Sequence, residues 1–513
     1  MSRISIIGAG LAGLTAGAYL AQSGHQVQIF EQFSDIGGVA ATVEQDGYKW
    51  DIGPLLLEGF GPNETVSNIL NELDLMKQLR LVNEDRGLAT PDFAFWRPEP
   101  YQGLYWRRDM LKQIFPEESL NLDKYFKFYL RMIKLVTLSK QSEQANGFKK
   151  FVLKIQLLLT SLPIKKMQEW NATQLLDYFF ASYKLKGLFA GILADFVIKP
   201  SEFQGLGIPM VNFETAFDKR IPLILDKHTI QPQYNFILGG CGEMVQLLAH
   251  YIESHQGTIR TKAKVQKILI ENNQAIGVEM ENGEQFLSDV VLATGDIQST
   301  FSSLIGKEQI SSETQQHIDS LQYMESVFMV HIGIDFDPRP HQPVALCYYY
   351  GTYDIDGAVE KTRTGIYHEG EDGFLIYIPS MHSPEMAPAN HHAVTIYTVA
   401  PNHLKDEDWQ AQREELADKL LEYAETKIPG LRAHTTTRLI MTPEDFRQRI
   451  FVQNHSFGGL PPIMGQKGFA HQTSIKNMFY AGCQSESTGG IANTMGGAKA
   501  ATQLILKSLE KEI

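Results

Sequence analysis

Cysteine is scarce in this chain. Only Cys241, Cys347 and Cys483 occur, with no CxxC or other metal-ligand spacing. That excludes a disulfide framework and a zinc cluster, and it fits a reducing compartment. Long apolar runs are lacking too: no window supplies the roughly 20 uninterrupted apolar residues of a spanning helix. The first residues carry neither the basic start nor the cleavage pattern of a secretion signal. Positive charge is in deficit, and the net charge of −13 argues against nucleic acid as the general partner. There is no internal repeat and no Ser/His/Asp elbow. His391-His392 make a poor metal pair, because neighbours on a strand point to opposite faces. What remains, with 43% hydrophobic and 20% charged residues over 513 positions, is a globular chain long enough for two domains.

The opening residues carry the strongest motif. The apolar run at residues 4–7 leads into Gly8-Ala9-Gly10-Leu11-Ala12-Gly13, and an alanine-rich segment follows to Ala21. This predicts strand, glycine turn and helix. The first glycine allows the turn, the second admits a pyrophosphate, and the third lets helix pack on strand. The helix N-terminus faces the phosphate charge. A second strand over 27–30 ends at Glu31, placed to accept the hydroxyls of an adenosine ribose. Gly37-Gly38, Ala41-Thr42 and Asp51-Ile52-Gly53-Pro54 continue the pattern.

At the other end, a strand leads to Gly482-Cys483, a glycine loop follows through Gly489-Gly490, and a helix is expected to about Leu509. Gly496 and Gly497 fall inside that helix, where each costs roughly 1 kcal/mol against alanine. A close approach must justify them, with a flavin ring as one candidate and helix–helix packing as the other. The helix N-terminus near Gly490-Ile491-Ala492 would stabilise negative charge on a reduced flavin.

These segments, with Gly239-Gly240-Cys241-Gly242 and residues 258–295 between them, resemble the FAD-dependent phytoene desaturase, carotenoid isomerase and retinol saturase family, within the amine-oxidase-like flavoproteins. The resemblance implies an α/β fold: a Rossmann-type, glutathione-reductase-like FAD-binding domain with an inserted mixed α+β substrate domain. It also implies cofactor contacts from Gly8, Gly10, Leu11, Ala12, Gly13, Glu31, Gly37, Gly38, Val39, Ala41, Thr42, Gly53 and Pro54. Val265, Gly295, Gly482, Cys483, Gly490, Ile491 and Ala492 complete the implied set, with no metal. Two positions depart from the pattern. Val39 stands where many relatives carry a pyrophosphate-binding arginine, and Cys483 where alanine or an acid is usual. A flavin thioether at Cys483 is one reading, and a small buried thiol is the other.

The FAD domain is expected from residues 1–60, 230–300 and 455–513, and the substrate domain from 61–229 and 301–454. Helices are predicted over 65–79, 122–138, 173–196 and 409–428, and strands over 327–334, 374–378 and 393–399. Residues 124–166 hold ten Lys or Arg and one acid, Glu143, so this stretch carries +9 and the rest −22. Aromatic and aliphatic residues interleave with those lysines. The pattern reads as two amphipathic helices docking on an anionic membrane surface, or else as a solvated face over an ordinary core stripe.

The functional expectation is an FAD oxidoreductase of carotenoid biosynthesis acting on a long apolar isoprenoid or polyene. It would be cytoplasmic and peripherally membrane-associated, and desaturation, isomerisation and saturation all suit the scaffold. An oxidase of a small polar amine and a flavin-bearing membrane scaffold are the alternatives. Because the flavin carries the difficult step, no catalytic residue is assigned. Glu214, Asp218 and Glu486 are weighed as acids or bases and read as structural, and Arg447, Arg449 and His455 are left unoriented.

Overall fold

The computed structural model describes residues 1–222 and 232–510, so the boundary expected at 229–230 lies outside the described residues. A five-stranded parallel sheet has the order Met478–Tyr480, Val290–Ala293, Arg3–Ile7 (β1), Gln26–Phe30 (β2), Thr258–Arg260. β1 lies at its centre, with Ile4 opposite Val290 on one side and Val27 on the other. Both faces are covered at Val290–Ala293 and Met478–Tyr480, which is why those strands read as apolar runs without alternation, whereas β2 and the edge strand Thr258–Arg260 keep polar residues. The helix Leu11–Gln22 (α1) is buried along nearly its whole length, against Cys241–Ser254 and Ile491–Glu510. Gly17 permits the contact: a Cβ there would lie 2.8 Å from Ile29 Cδ1.

A three-stranded antiparallel sheet, Val265–Glu271, Gln274–Met280 and Gln285–Leu287, flanks this layer. The second large body is a seven-stranded mixed sheet. Its order is Thr435–Met441, Ser326–Ile334, His392–Ala400, Gly373–Tyr377, Leu346–Tyr350, Arg86–Ala89, Ala94–Phe95. The strands predicted over 327–334, 374–378 and 393–399 lie in it. Helix Trp409–Glu425 packs on it and ends before Gly430, whose φ of +98° suits a stop. Arg86–Ala89 and Ala94–Phe95 escape a periodicity reading because they are short, four and two residues.

The basic segment divides into Ser119–Gln144 and Gly147–Ser161. In the first helix Tyr125, Phe126, Phe128, Tyr129, Met132 and Ile133 are core residues. An ordinary packed stripe therefore accounts for it, and its apolar side is closed to a membrane. The second helix differs. Phe148 is 81% exposed, and Phe151, Ile155, Leu158 and Leu159 are exposed with it.

Under the first helix lies a buried ion pair. Arg107 donates from Nε to both Glu214 oxygens (3.2 and 3.1 Å) and from Nη2 to Oε1 (2.5 Å), and both side chains are 1% exposed. The guanidinium also sits 4.0 Å from the Phe217 ring centre. Removing one member leaves a buried charge unpaired. Glu214→Ala is expected to lose about 3–5 kcal/mol of stability in urea unfolding, whereas replacing both members by apolar residues is expected to recover most of it. A single-mutant loss under about 1 kcal/mol would show that the pair is not structural.

Candidate functional site

The glycine turn after β1 is built by contact. Gly8 has φ +102°, its N–H bonds Phe30 O at 2.8 Å, and Thr294 Oγ1 donates to Ile7 O (2.8 Å) and Gly8 O (3.2 Å). A Cβ on Gly13 would lie 2.0 Å from Gly8 O, so α1 reaches the turn only through glycine. Gly10 is different: a Cβ there meets nothing within 4 Å. No side chain caps α1 at Gly10, and Leu14 N–H bonds Gly10 O within the helix. The N–H groups of Leu11, Ala12 and Gly13 thus stand at a positive helix end beside open space, an arrangement suited to phosphate.

Glu31 is 8% exposed and closes one side. Its carboxylate accepts the Ala9 N–H (2.8 Å) and the Phe33 N–H (2.9 Å), which fixes the turn while leaving lone pairs for ribose hydroxyls. Val265 is buried near the Ala263 N–H that bonds Glu31 O. Gly37 N–H bonds Ala9 O, and Gly10 and Gly37 pair as an isolated bridge. A Cβ on Gly38 would lie 3.6 Å from Gly10 Cα, which sets the second glycine pair directly over the first turn.

Other implied residues serve the neighbouring helix. Thr42 donates to Asp51 Oδ1 (2.6 Å) and accepts the Gly242 N–H (2.9 Å), while the same Asp51 oxygen accepts the Cys241 N–H (2.9 Å). Together they cap Cys241–Ser254, the helix expected after Gly239-Gly240. Burial pushes the Asp51 carboxyl up to about 6. Gly53 is required because its Cβ would lie 2.0 Å from Val39 O. Ala41 is tied to the same hairpin by the Ile52 N–H, and Pro54 O faces Cys241 Sγ at 3.8 Å.

From the C-terminal segment, Gly482 lies against Thr294 O, and Gly295 O accepts the Tyr480 hydroxyl at 3.0 Å. Cβ atoms on Gly295 and Gly490 would meet nothing within 4 Å. Gly490 precedes Ile491 and Ala492 at the start of helix Ile491–Glu510. For Gly496 and Gly497 the structure supplies the packing alternative. Their Cβ atoms would approach Thr65 (3.1 Å) and Ser487 (2.7 Å), so packing of the helix on its neighbours explains them. Burial pushes the Cys483 thiol up to about 11, which favours the inert buried thiol over a thioether.

The open faces of Gly10, Gly295 and Gly490, the uncapped helix end and Glu31 fit a dinucleotide cofactor such as FAD. The weighed acids are engaged elsewhere: Glu214 with Arg107, Asp218 with Arg220 (2.9 Å), and Glu486 with the His471 N–H (3.0 Å). His391 contacts Tyr48 and His392 contacts Ser380, so the pair diverges as expected. His455 bonds Ser326 and stacks on Phe446, with burial pushing it down to about 3. Arg447 turns to Asn402 and Glu444.

Arg449 alone of that group reaches the nucleotide loop. Its Nε donates to Gly38 O at 2.9 Å, and its guanidinium lies 4.6 Å from the Phe33 ring centre. A cation thus arrives beside Val39, at the place where the sequence lacks one. Arg449 also borders an open cavity of about 640 Å³ with Asp35, Thr42 and His250.

Comparison with known proteins agrees with this geometry. The family model described as flavin containing amine oxidoreductase matches residues 11–506. Prolycopene isomerase 2, chloroplastic, from an Oncidium hybrid cultivar is 24% identical over 93% of this chain and 78% of its own. The 4,4'-diapophytoene desaturase (4,4'-diaponeurosporene-forming) of Staphylococcus aureus (strain COL) is 23% identical over 100% of both chains. Among solved structures, a putrescine oxidase triple mutant made to redesign cofactor binding superposes with a TM-score of 0.62, at 13% identity over 99% of each chain.

Cofactor affinity tests the cradle. Glu31→Ala is expected to weaken FAD binding to the apoprotein about 10–100-fold, the cost of losing hydrogen bonds to a charged group. Arg449→Ala is expected to weaken it by about tenfold, an effect that fades at high salt. Flavin fluorescence quenching measures both, and unchanged affinity in Glu31→Ala would remove that residue from the site.

Proposed function

We infer that this chain, which belongs to the flavin containing amine oxidoreductase family, acts on a long apolar isoprenoid or carotenoid-like polyene at a membrane surface. It is an FAD-dependent oxidoreductase with the amine-oxidase-like α/β fold, similar to carotenoid desaturases and isomerases. The observation that carries the polyene reading is the near full-length likeness to proteins named as diapophytoene desaturase and prolycopene isomerase.

In this reading residues 1–60, 230–300 and 455–513 form the FAD-binding domain, and 61–229 with 301–454 form the substrate domain. FAD supplies a hydride acceptor, and a conjugated polyene tolerates the charge left behind. The chain's own residues do the rest. The N–H groups of Leu11, Ala12 and Gly13 hold pyrophosphate, Glu31 holds ribose, and Arg449 adds positive charge beside Gly38. The start of helix Ile491–Glu510 offers N–H groups to negative charge on the reduced ring.

Membrane docking is assigned to helix Gly147–Ser161. Its exposed face of Phe148, Phe151, Ile155, Leu158 and Leu159 continues to Leu162, with Lys149, Lys150 and Lys154 on the same helix and Lys165 and Lys166 beyond it. Apolar insertion with lysines reaching anionic headgroups accounts for both features. No helix among the described residues is long and apolar enough to cross the membrane.

Anaerobic mixing with polyene-loaded liposomes is expected to bleach the oxidised flavin bands. An unchanged spectrum would count against desaturation of the polyenes tested, and bleaching by soluble amines instead would favour an amine oxidase. Phe148→Asp with Phe151→Asp is expected to reduce sedimentation with anionic liposomes at least about 100-fold, from about 1.5–3 kcal/mol of lost burial per ring. Bound flavin in that variant should be unaffected.

A further inference from the structure

Five side chains belong to two cores at once. Leu56, Phe196, Val211, Tyr350 and Val399 pack on the helical core that holds Tyr125 and Phe189, and also on the core that covers one face of the mixed sheet. Each nevertheless keeps part of its surface uncovered. Protein interiors are close-packed, so side chains that touch both bodies and are sealed by neither border a gap between them. Leu56 sets one end of that gap beside the cofactor loop, two residues beyond Pro54. The turn Gly191–Phe196, Val211 and the mixed sheet bound the rest.

The sheet lines this gap with tyrosine. Leu346, Tyr348 and Tyr350 share its side of the sheet, whereas Cys347 and Tyr349 between them belong to the core on the other face. Tyr377 and Tyr397 join them. Leucine or phenylalanine would suit a hydrocarbon as well, with no hydroxyl to satisfy. The Tyr377 hydroxyl is spent on Glu84 Oε2 at 3.2 Å. The Tyr350 hydroxyl bonds no described residue, on a side chain that is only partly covered. Its ring is held in place: a Cβ on Gly191 would come within 2.3 Å of Tyr350 Cε2, and the Tyr348 ring centre is 6.0 Å away.

Behind this wall stands a cation without an ion-pair partner among the described residues. Arg86 is 1% exposed, and its Nη2 donates to the O of Val211, one of the five bordering residues, at 3.2 Å. The guanidinium lies 4.7 Å from the Phe217 ring centre and 5.3 Å from that of Tyr348, and Nε and Nη1 have no hydrogen-bond partner. Asp195, in the same turn as Gly191, acts on it only from beyond ion-pair range. Buried charges are normally paired, and ring faces offset only part of the cost. A fixed positive charge also opposes cation development on a nearby polyene. The Arg86 end of the gap thus suits a part of a ligand that carries partial negative charge, and the Leu56 end suits the reacting bond.

We propose that this gap is the substrate passage, and that it takes an isoprenoid chain bearing an oxygenated end group, a hydroxyl or carbonyl, whose oxygen accepts a hydrogen bond from Tyr350. The proposal rests on the apolar-isoprenoid reading above and narrows its substrate class. The apolar chain lies along Leu56, Phe196, Val211 and Val399, and the end group supplies the oxygen that the Tyr350 hydroxyl otherwise lacks.

The test uses holoenzyme and a pair of labelled probes delivered in liposomes, geranylgeraniol and the hydrocarbon of the same skeleton. Equilibrium partition measures their binding, so turnover is not needed. Wild type is expected to hold the alcohol about tenfold more tightly than the hydrocarbon once partition into lipid is corrected for. Tyr350→Phe should keep its FAD and bring the alcohol down to the affinity of the hydrocarbon. Val399→Trp, which fills the gap, should weaken both probes about tenfold or more with FAD retained. Equal affinity of wild type for the two probes, or an undiminished preference in Tyr350→Phe, would overturn the oxygenated end group. Unchanged binding in FAD-loaded Val399→Trp would overturn the passage itself. Anaerobic flavin reduction tests the underlying reading separately: if no polyene bleaches wild-type flavin, desaturation fails, while a preference for the alcohol that depends on Tyr350 still upholds the site.

Discussion

One close approach governs this structure: α1 stands so near the turn before it that only hydrogen fits between Gly13 and Gly8 O. The contact aims the unbonded N–H groups of the helix at the space over Gly10. Everything nearby then serves to keep that turn in place. Thr294 bonds it from the next strand, Glu31 from the strand on the other side, and Gly37 through Ala9. Because the strands on both sides of β1 contribute restraints, the cradle is a property of the parallel sheet. A loop alone could not hold it.

The second body is tied to the first through short, charged elements. Arg86–Ala89 pairs in parallel with Leu346–Tyr350, so the mixed sheet joins segments far apart in the chain. Leu81–Glu84 pairs with Tyr234–Ile237, the strand that feeds the Gly239-Gly240 turn and the helix capped by Asp51 and Thr42. Side chains far apart in sequence thereby converge: the Arg86 guanidinium lies between the Phe217 and Tyr348 rings, each from a different part of the chain.

Charge is organised on the same principle of separation. An acidic chain concentrates its basic residues in two adjacent helices, and packing then gives them different tasks. Ser119–Gln144 spends its aromatic face on the core, over the Arg107–Glu214 pair, whereas Gly147–Ser161 keeps its own face outward. Both are basic and amphipathic, so only the presence of a neighbour distinguishes the helix whose aromatic face is buried from the one whose face is exposed.

The glycine turn, its helix, Glu31 and the C-terminal glycine loop were legible because their constraints are local: positive φ, close approach and fixed spacing leave a mark on residue type. The strands over 327–334, 374–378 and 393–399 were legible because burial on both faces makes them apolar. Gly496 and Gly497 left flavin and helix packing both open in the sequence, because a helix glycine records that something is close without recording what. Arg449 was silent for a related reason: it has no spacing to the motif, since it comes more than four hundred residues after the glycine pair it touches. The sequence by itself determined the cofactor class and the elements that cradle it, since backbone geometry dictates those residues directly. Only the tertiary structure decided which charges stand beside that cradle, because desolvation and long-range contact come from packing and leave no periodic trace in the chain.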